Sequence, residues 1–203
     1  MGKVVADITT SLDGFIAGPN DGPEVPLGEG GEQLHQWVYD LASWREPHGL
    51  AGGKTNRDSE VLDEAFKAAG AIVLGRRMFD NAGGWGENPP FHGPVFVLAH
   101  HPREPLELQG GTTFTFVTDG IESALEQARA VAAGQDVFVG GGADVINQYL
   151  AAGLVDDLEL HIVPLVLGAG ARLFEGVGPA LTLERVRAVE APGVTHVKYR
   201  VLT

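Results

Sequence analysis

The chain predicts an α/β fold of three layers, with helices on both faces of a mostly parallel central sheet and an antiparallel hairpin at the C-terminal edge. Three observations carry this expectation. Short β-rich runs alternate with helical segments from Lys3 to Ala152, and such alternation builds parallel sheets whose crossover helices cover both faces. Beyond Leu158 the strands follow one another without helices. Pro192-Gly193 separates two of these late runs, which is the pattern of a turn between antiparallel strands.

Taken in order, Lys3 to Thr10 reads as the first strand. Leu34, Trp37, Val38 and Leu41 recur at helical spacing, so Glu32 to Trp44 is expected as one amphipathic helix. Gly- and Pro-rich stretches flank it, and Pro19 to Asn56 reads as a loop-helix-loop segment of the kind that forms lids or binding loops. Ser59 to Ala69 is expected as a helix ended by Gly70, with Val61, Leu62, Ala65 and Phe66 inward. Ala71 to Leu74, Pro94 to Ala99 and Thr113 to Thr118 read as strands. Asp119 is placed to cap a helix over Ile121 to Ala133, whose Ile121, Leu125, Ala128 and Val131 form one stripe. Asp136 to Val139 is a strand and Ala143 to Ala152 a helix stopped by Gly153. Leu158, Leu160 and Ile162 then alternate with Glu159, His161 and Val163, and Leu181 to Val189 with Val194 to Leu202 completes the hairpin.

Bulk properties exclude several functions. The 203 residues suit one domain, 1–203, and 44% hydrophobic with 20% charged residues is ordinary for a soluble protein. No apolar run approaches the roughly 20 residues that span a bilayer, and the start lacks a signal peptide's apolar stretch, so a cytoplasmic location is expected. The absence of cysteine removes disulfides, thiolate nucleophiles and Cys-ligated zinc. A net charge of −13 opposes binding to nucleic acid or anionic membranes. Against that background Arg76-Arg77 and His100-His101-Pro102-Arg103 stand out, either as solvated turns or as a hold on a small phosphorylated ligand.

Four constellations suggest chemistry. Asp136 to Val139 runs into Gly140-Gly141-Gly142 and at once into a helix. Bare backbone and helix N-terminal amides suit a diphosphate, although a plain tight turn would also use glycine. The pattern is neither the dinucleotide fingerprint nor a P-loop. Ile72-Val73-Leu74 feeds Gly75-Arg76-Arg77-Met78 in the same way. Cations oppose the dipole at a helix start, so a bound phosphate is a natural reason for two arginines there, and an adenosine 2′-phosphate would use them well. The strand from Val95 reaches Leu98-Ala99-His100-His101 at the same expected sheet edge. Adjacent histidines rarely point at one ion, so no metal site is expected. Finally, Asp7, Thr9 and Ser11 share one face of the first strand and should line a cavity or an internal network unless that strand is a solvent edge. In a low dielectric Asp7 would have a raised pKa and could donate a proton.

In this order the motifs Ser11-Leu12-Asp13-Gly14-Phe15-Ile16-Ala17, Gly75-Arg76-Arg77-Met78, Val139-Gly140-Gly141-Gly142-Ala143 and Leu154 to His161 with Pro164 to Gly170 resemble the dihydrofolate-reductase-like superfamily. They are most similar to its riboflavin-biosynthesis branch, the RibD C-terminal-domain type. The resemblance implies a central sheet of about eight strands and NADPH as cofactor. It places Ile8, Thr9, Asp13, Ile16 and Ala17 beside the nicotinamide, and Gly75, Arg76, Arg77 and Met78 on the diphosphate and adenosine phosphate. Leu98, Ala99, His100 and His101 would flank the adenine and its ribose. Val139, Gly140, Gly141, Gly142, Ala143, Asp144 and Val145 would wrap the diphosphate, with Leu167 and Gly168 closing the site.

The sequence departs from those relatives in two respects. The acidic residue that dihydrofolate reductases carry on the helix after the first loop falls at Gln33 or Leu34, with Glu32 and His35 close by. The zinc deaminase half of the bifunctional riboflavin enzyme needs cysteines that this chain lacks. An NADPH-dependent reductase of a small heterocycle, imine or carbonyl is expected, ribosylaminouracil-like or pterin-like, with a non-catalytic NADPH- or flavin-binding protein as the alternative. Asp7, Glu32 and His35 are candidate proton donors, and Trp37 either stacks on a planar substrate or fills the core. By analogy with related domains, a homodimer through the C-terminal strands is expected.

Overall fold

The computed structural model describes residues 2–178 and 181–202. Its strands are β1 (Val4–Ser11), β2 (Phe15–Ala17), β3 (Ala69–Gly75), β4 (Pro94–Leu98), β5 (Leu106–Glu107), β6 (Thr113–Val117), β7 (Asp136–Gly141), β8 (Asp157–Val163), β9 (Ala171–Arg172), β10 (Thr182–Glu190) and β11 (Thr195–Leu202). The helices are α1 (Gln36–Tyr39), α2 (Ala42–Arg45), α3 (Arg57–Ala68), α4 (Arg76–Asn81), α5 (Ile121–Val131) and α6 (Ala143–Ala151), and a 3-10 turn spans Gly31–His35. Nine strands form one sheet in the order β10-β11-β8-β1-β7-β3-β4-β6-β5, and β2 pairs with β9 apart from it.

The six strands from β8 to β6 are parallel. Antiparallel pairs close both ends, β11 on β8 and β10 on β11 at one edge and β5 on β6 at the other. The ninth strand beyond the expected eight is β5, a two-residue edge strand too short to show as a hydrophobic run.

Strand alternation sorts the core onto two faces. Val4, Ala6, Val73, Phe96, Val137 and Val139 pack under α5 and α6. Leu74, Val95, Val97 and Phe114 meet Phe79 of α4 on the opposite face. The α1 residues Trp37 and Val38, with Leu41 and Leu62, cover the neighbouring part of that second face. Helices therefore follow one face while the chain steps outward from β1 to β4, and the other face as it returns to β7 and β8, as right-handed crossovers require.

The stretch expected as one helix over Glu32 to Trp44 is broken into the 3-10 turn, α1 and α2. Leu41 is extended, at φ −81 and ψ 142. The cause is a competing long-range pairing. Lys54 donates its amide to the Asp40 carbonyl and accepts from the Ala42 amide, and its Nζ donates to the Asp40 carboxylate at 2.7 Å. The apolar spacing survives the break, since Leu34, Trp37, Val38 and Leu41 are all buried.

Two helix boundaries also differ from expectation. α5 starts at Ile121 as expected, but Asp119 does not cap it: the N-cap is Gly120 at φ 94, and the helix ends at Val131 rather than Ala133. Gly70 lies inside β3, and α3 begins earlier, at a capping box in which Asn56 and Ser59 each bond the other's backbone amide. Phe66 and Val131, expected inward, are 44% and 49% exposed.

That box anchors the start of α3. Asn56→Ala is expected to lower stability by about 1 kcal/mol, read as a shift in urea midpoint at unchanged m-value.

Candidate active site

At the C-terminal ends of β3 and β7 two helices start side by side. Gly75 is the N-cap of α4 and Gly142 the N-cap of α6, and neither offers a side chain to the free amides of its helix. The two turns touch, since a Cβ on Gly75 would sit 2.9 Å from Cγ2 of Val145. Gly141 has φ +120, which side-chain-bearing residues rarely adopt, and a Cβ there would contact Met78 and Ile8. A Cβ on Gly142 would meet nothing within 4 Å. The Gly141–Gly142 peptide bond is cis. The backbone is thus bare at Gly142, beside two helix starts that lack side-chain caps, and such amides suit an anion.

The arginines beside this edge have partners already. Arg76 donates from Nε to both oxygens of Asp80, at 2.8 and 2.9 Å. Arg77 reaches back to Asp21, with Nη2 to Oδ1 at 2.7 Å, and Asn81 shares that carboxylate at 2.8 Å. Carboxylates, not only a phosphate, therefore favour cations at this helix start. Arg103 lies over the rings of Phe79 and Phe116, at 5.5 and 5.1 Å, and Arg76 over the same Phe116 at 5.7 Å. Arg103 thus joins the basic wall formed by Arg76; His100 and His101 are exposed just after β4, while Leu98 and Ala99 are partly covered. Asp144 bonds Gln148 on its own helix.

Across β1 the chemistry changes. Ile8 turns toward the apolar core under α6, and Thr9 is buried. Asp7 faces the other way, and β1 is a central strand, so its carboxylate enters an internal network rather than a solvent edge. Asp7 Oδ1 accepts from Nε2 of His161 at 3.1 Å, Nδ1 of His161 meets Nδ1 of His196 at 2.7 Å, and Nε2 of His196 donates to Asp58 at 3.0 Å. Strand register explains the alignment, because His161 on β8 pairs across with Thr9 and with His196 on β11. Asp58 arrives from the first turn of α3. The indole of Trp37 lies 5.1 Å from the His161 ring and 5.2 Å from that of His196.

Burial opposes charge on His161, but Asp7 and then Glu159 more than offset it, so its pKa lies above the ordinary imidazole value. His196 goes the other way, lowered by burial and by the charge on His161 against the pull of Asp58. Burial and then His161 push His35 down to about 4. The stability His35 contributes is therefore full above 6.5 and is lost as pH falls toward about 4. Three enclosed polar atoms around this network have no protein partner: Asp7 Oδ2, His35 Nδ1 and Trp37 Nε1. Glu32 lies exposed on the 3-10 turn.

Asp13 ties the loop after β1 to the segment after β8. Its carboxylate accepts from Ser11 Oγ at 2.7 Å and from the amides of Leu167 and Gly168 at 3.1 and 2.7 Å. Those bonds, Ser11 first, hold its pKa down to about 2. Ile16 and Ala17 are buried on β2 just beyond. The position of Asp13 identifies it as a clasp on the Leu167-Gly168 segment.

His196 and Asp58 were not among the residues marked by the sequence as candidates, and they come from elements far apart in the chain. A usable signal existed for His161 alone, since alternate polar residues on a strand destined for the interior must find partners.

Comparison with known proteins places this arrangement. The profile described as the RibD C-terminal domain matches residues 2–196. The chain belongs to that family. A relative from Bacillus subtilis strain 168, the uncharacterised protein YyaP, is 28% identical over 206 residues, covering 97% of this chain and 94% of its own. Among solved structures, a putative riboflavin biosynthesis protein from Shewanella sp. PV-4 superposes with a TM-score of 0.69 at 18% identity, covering 99% of both chains. A dihydrofolate reductase from Enterococcus faecalis, complexed with NADP(H) and RAB-propyl, gives 0.60 at 15% identity, over 98% of this chain and 96% of its own. RibD of Acinetobacter baumannii gives 0.63 at 15% identity and covers all of this chain but 59% of its own length. The fold of this RibD C-terminal domain is therefore dihydrofolate-reductase-like. Among the described residues no helix is long and apolar enough to cross a membrane, and no group of acidic or histidine residues could hold a metal ion.

The Asp13 clasp is testable. Its contribution is full above 3.8 and is lost as pH falls through about 2. Asp13→Asn is expected to speed hydrogen exchange at the Leu167 and Gly168 amides at neutral pH and to flatten their acid dependence. Unchanged protection would contradict the clasp.

Proposed function

We propose that this RibD C-terminal domain is an NADPH-dependent oxidoreductase acting on a small heterocycle, imine or carbonyl of ribosylaminouracil-like or pterin-like shape. The observation that carries it is the pair of uncapped, glycine-opened helix starts at Gly75 and Gly142. They lie in contact at the C-terminal ends of adjacent parallel strands, where open α/β sheets bind ligands. The residues fit a dinucleotide: bare backbone at Gly140 to Gly142 for the diphosphate, and a basic wall of Arg76, Arg77, His100, His101 and Arg103 for the adenosine phosphate.

In this reading Gly75 to Met78 and Val139 to Val145 hold the diphosphate, Leu98 to His101 flank the adenosine, and Ile8, Thr9, Ile16 and Ala17 border the nicotinamide. Asp13 fixes Leu167 and Gly168 over the opening. The cofactor supplies a hydride when bound. The protein's own part is to orient the two reactants, exclude water and place charge where it develops. His35 and Trp37 border the substrate half beside Asp7, whereas Glu32 is exposed on the same turn. The chain is further proposed to act in the cytoplasm as a homodimer joined through its C-terminal strands.

Fluorescence titration tests the cofactor. NADPH is expected to bind at least tenfold more tightly than NADH, and Arg76→Ala to remove most of that preference while leaving the fold intact. Equally weak binding of both nucleotides would overturn the proposal. Tight NADPH binding without consumption across pterins, flavins, quinones and ribosylaminopyrimidines would instead mark a binding protein.

A further inference from the structure

The four side chains Asp7, His161, His196 and Asp58 have a proton count fixed by their geometry. Three contacts of hydrogen-bond length join them end to end, at 3.1, 2.7 and 3.0 Å. Each bond needs one proton between its heavy atoms. Ionised carboxylates supply none, and two neutral imidazoles carry one each. Satisfying all three bonds therefore requires a third proton, one more than neutral rings and ionised carboxylates would hold.

The chain is also directional. His161, His196 and Asp58 keep side-chain exposures of 6%, 1% and 4%, whereas Asp7 keeps 20%. Asp7 is thus the most exposed member of the chain, and its Oδ2, itself enclosed, has no partner. Trp37, itself 9% exposed, closes over both rings and holds Nε1 without an acceptor.

We propose that Asp7 is the catalytic proton donor of this site and that His161, His196 and Asp58 are positioning residues that store one proton behind it. The inference rests on the reductase reading given above. With a reduced nicotinamide bound, a hydride would add to the carbon of a C=N or C=O group and the π pair would move to the heteroatom. Asp7 would protonate that heteroatom, forming the new N–H or O–H bond, as the proton held by His161 Nε2 crosses to the carboxylate. The two rings would then keep two protons, and one proton from solvent would restore the third. The sum is one hydride and one proton added to the substrate.

Other charges face the chain from each neighbouring element. Glu159 on β8 is buried with Lys198 of β11 at 3.3 Å and Arg187 of β10 at 3.0 Å, and His35 presses on His161 from the 3-10 turn. Glu159 is paired by two cations, which leaves Asp7 and Asp58 as the carboxylates directly bonded to the rings.

The test uses the full chain without cofactor, labelled with 15N-histidine, in a pH titration by long-range 1H–15N NMR. The expected result is that His161 and His196 together hold three ring protons at pH 7, and that Asp7→Asn lowers the midpoint for releasing the extra proton by at least one pH unit. Trp37 gives a second signal in a Trp44→Phe, Trp85→Phe background, with fluorescence rising as that proton leaves. Two neutral rings at pH 7, or a midpoint unmoved by Asp7→Asn, would overturn the proposal. A further variant is His196→Gln, replaced by Asp58→Asn, which keeps a polar side chain at the start of α3, if His196→Gln does not fold. Either variant is expected to move the alkaline fall of kcat/KM, for whichever panel compound is reduced, to lower pH without changing the KM for NADPH. An unmoved pH profile would contradict storage. NADPH is absent from the NMR measurement, so the two readings fail separately: neutral rings with tight NADPH binding leave the reductase standing and remove the proton chain. A held proton without NADPH binding removes the reductase and with it the delivery step.

Discussion

A carboxylate on a central strand of a parallel sheet has nowhere to go but inward, and Asp7 is such a carboxylate. Strands β7 and β8 flank β1 on both sides, so an ionised group there costs several kcal/mol unless it is paired and hydrogen-bonded. His161 satisfies it from the neighbouring strand, His196 satisfies His161 from the next, and Asp58 ends the series at a helix start. Each partner creates the need for the following one. The placement of α3, the cover provided by Trp37, and the pairing of β11 with β8 all follow that series, because removing any member would leave a buried polar group unmatched.

The same strand divides the cleft. On one side Ile8 looks toward Gly141 and the paired helix starts, where bare backbone and basic side chains suit an anionic cofactor. On the other side Asp7 opens the polar chain. Asp13 completes the arrangement by pinning the Leu167-Gly168 segment beside the first loop. A surface groove bounded by Trp44, His48, Phe66 and Phe91 opens near the N-terminal ends of β3 and β4, at the end of the sheet away from Gly75 and Leu98.

Much of the fold was legible because it rests on local patterns. The parallel strands, α5, α6 and the closing hairpin each carry their own periodicity and turn residues. The stretch from Glu32 to Trp44 was misjudged in backbone and correct in burial: helical spacing reports which side chains go inward, but a pairing with Lys54 thirteen residues beyond Leu41 decided where the helix broke. The two glycine-opened helix starts were legible for the same local reason, since glycines between a strand and a helix leave a mark in sequence. The polar chain was half visible. Asp7 declared itself as a charge on an apolar strand, whereas His196 and Asp58 reach it only through register and packing across 138 residues of chain.

The central claim is that the cofactor occupies the edge formed by Gly75 and Gly142 with its reactive end beside Ile8 and Asp7. Amide and methyl chemical-shift mapping with NADPH tests it most directly. The account predicts the largest shifts at Gly75 to Met78, Ala99 to His101, Gly140 to Ala143 and the Ile8 methyl groups. Shifts confined to the Trp44, His48 and Phe91 groove, or no shifts at saturating NADPH, would contradict it.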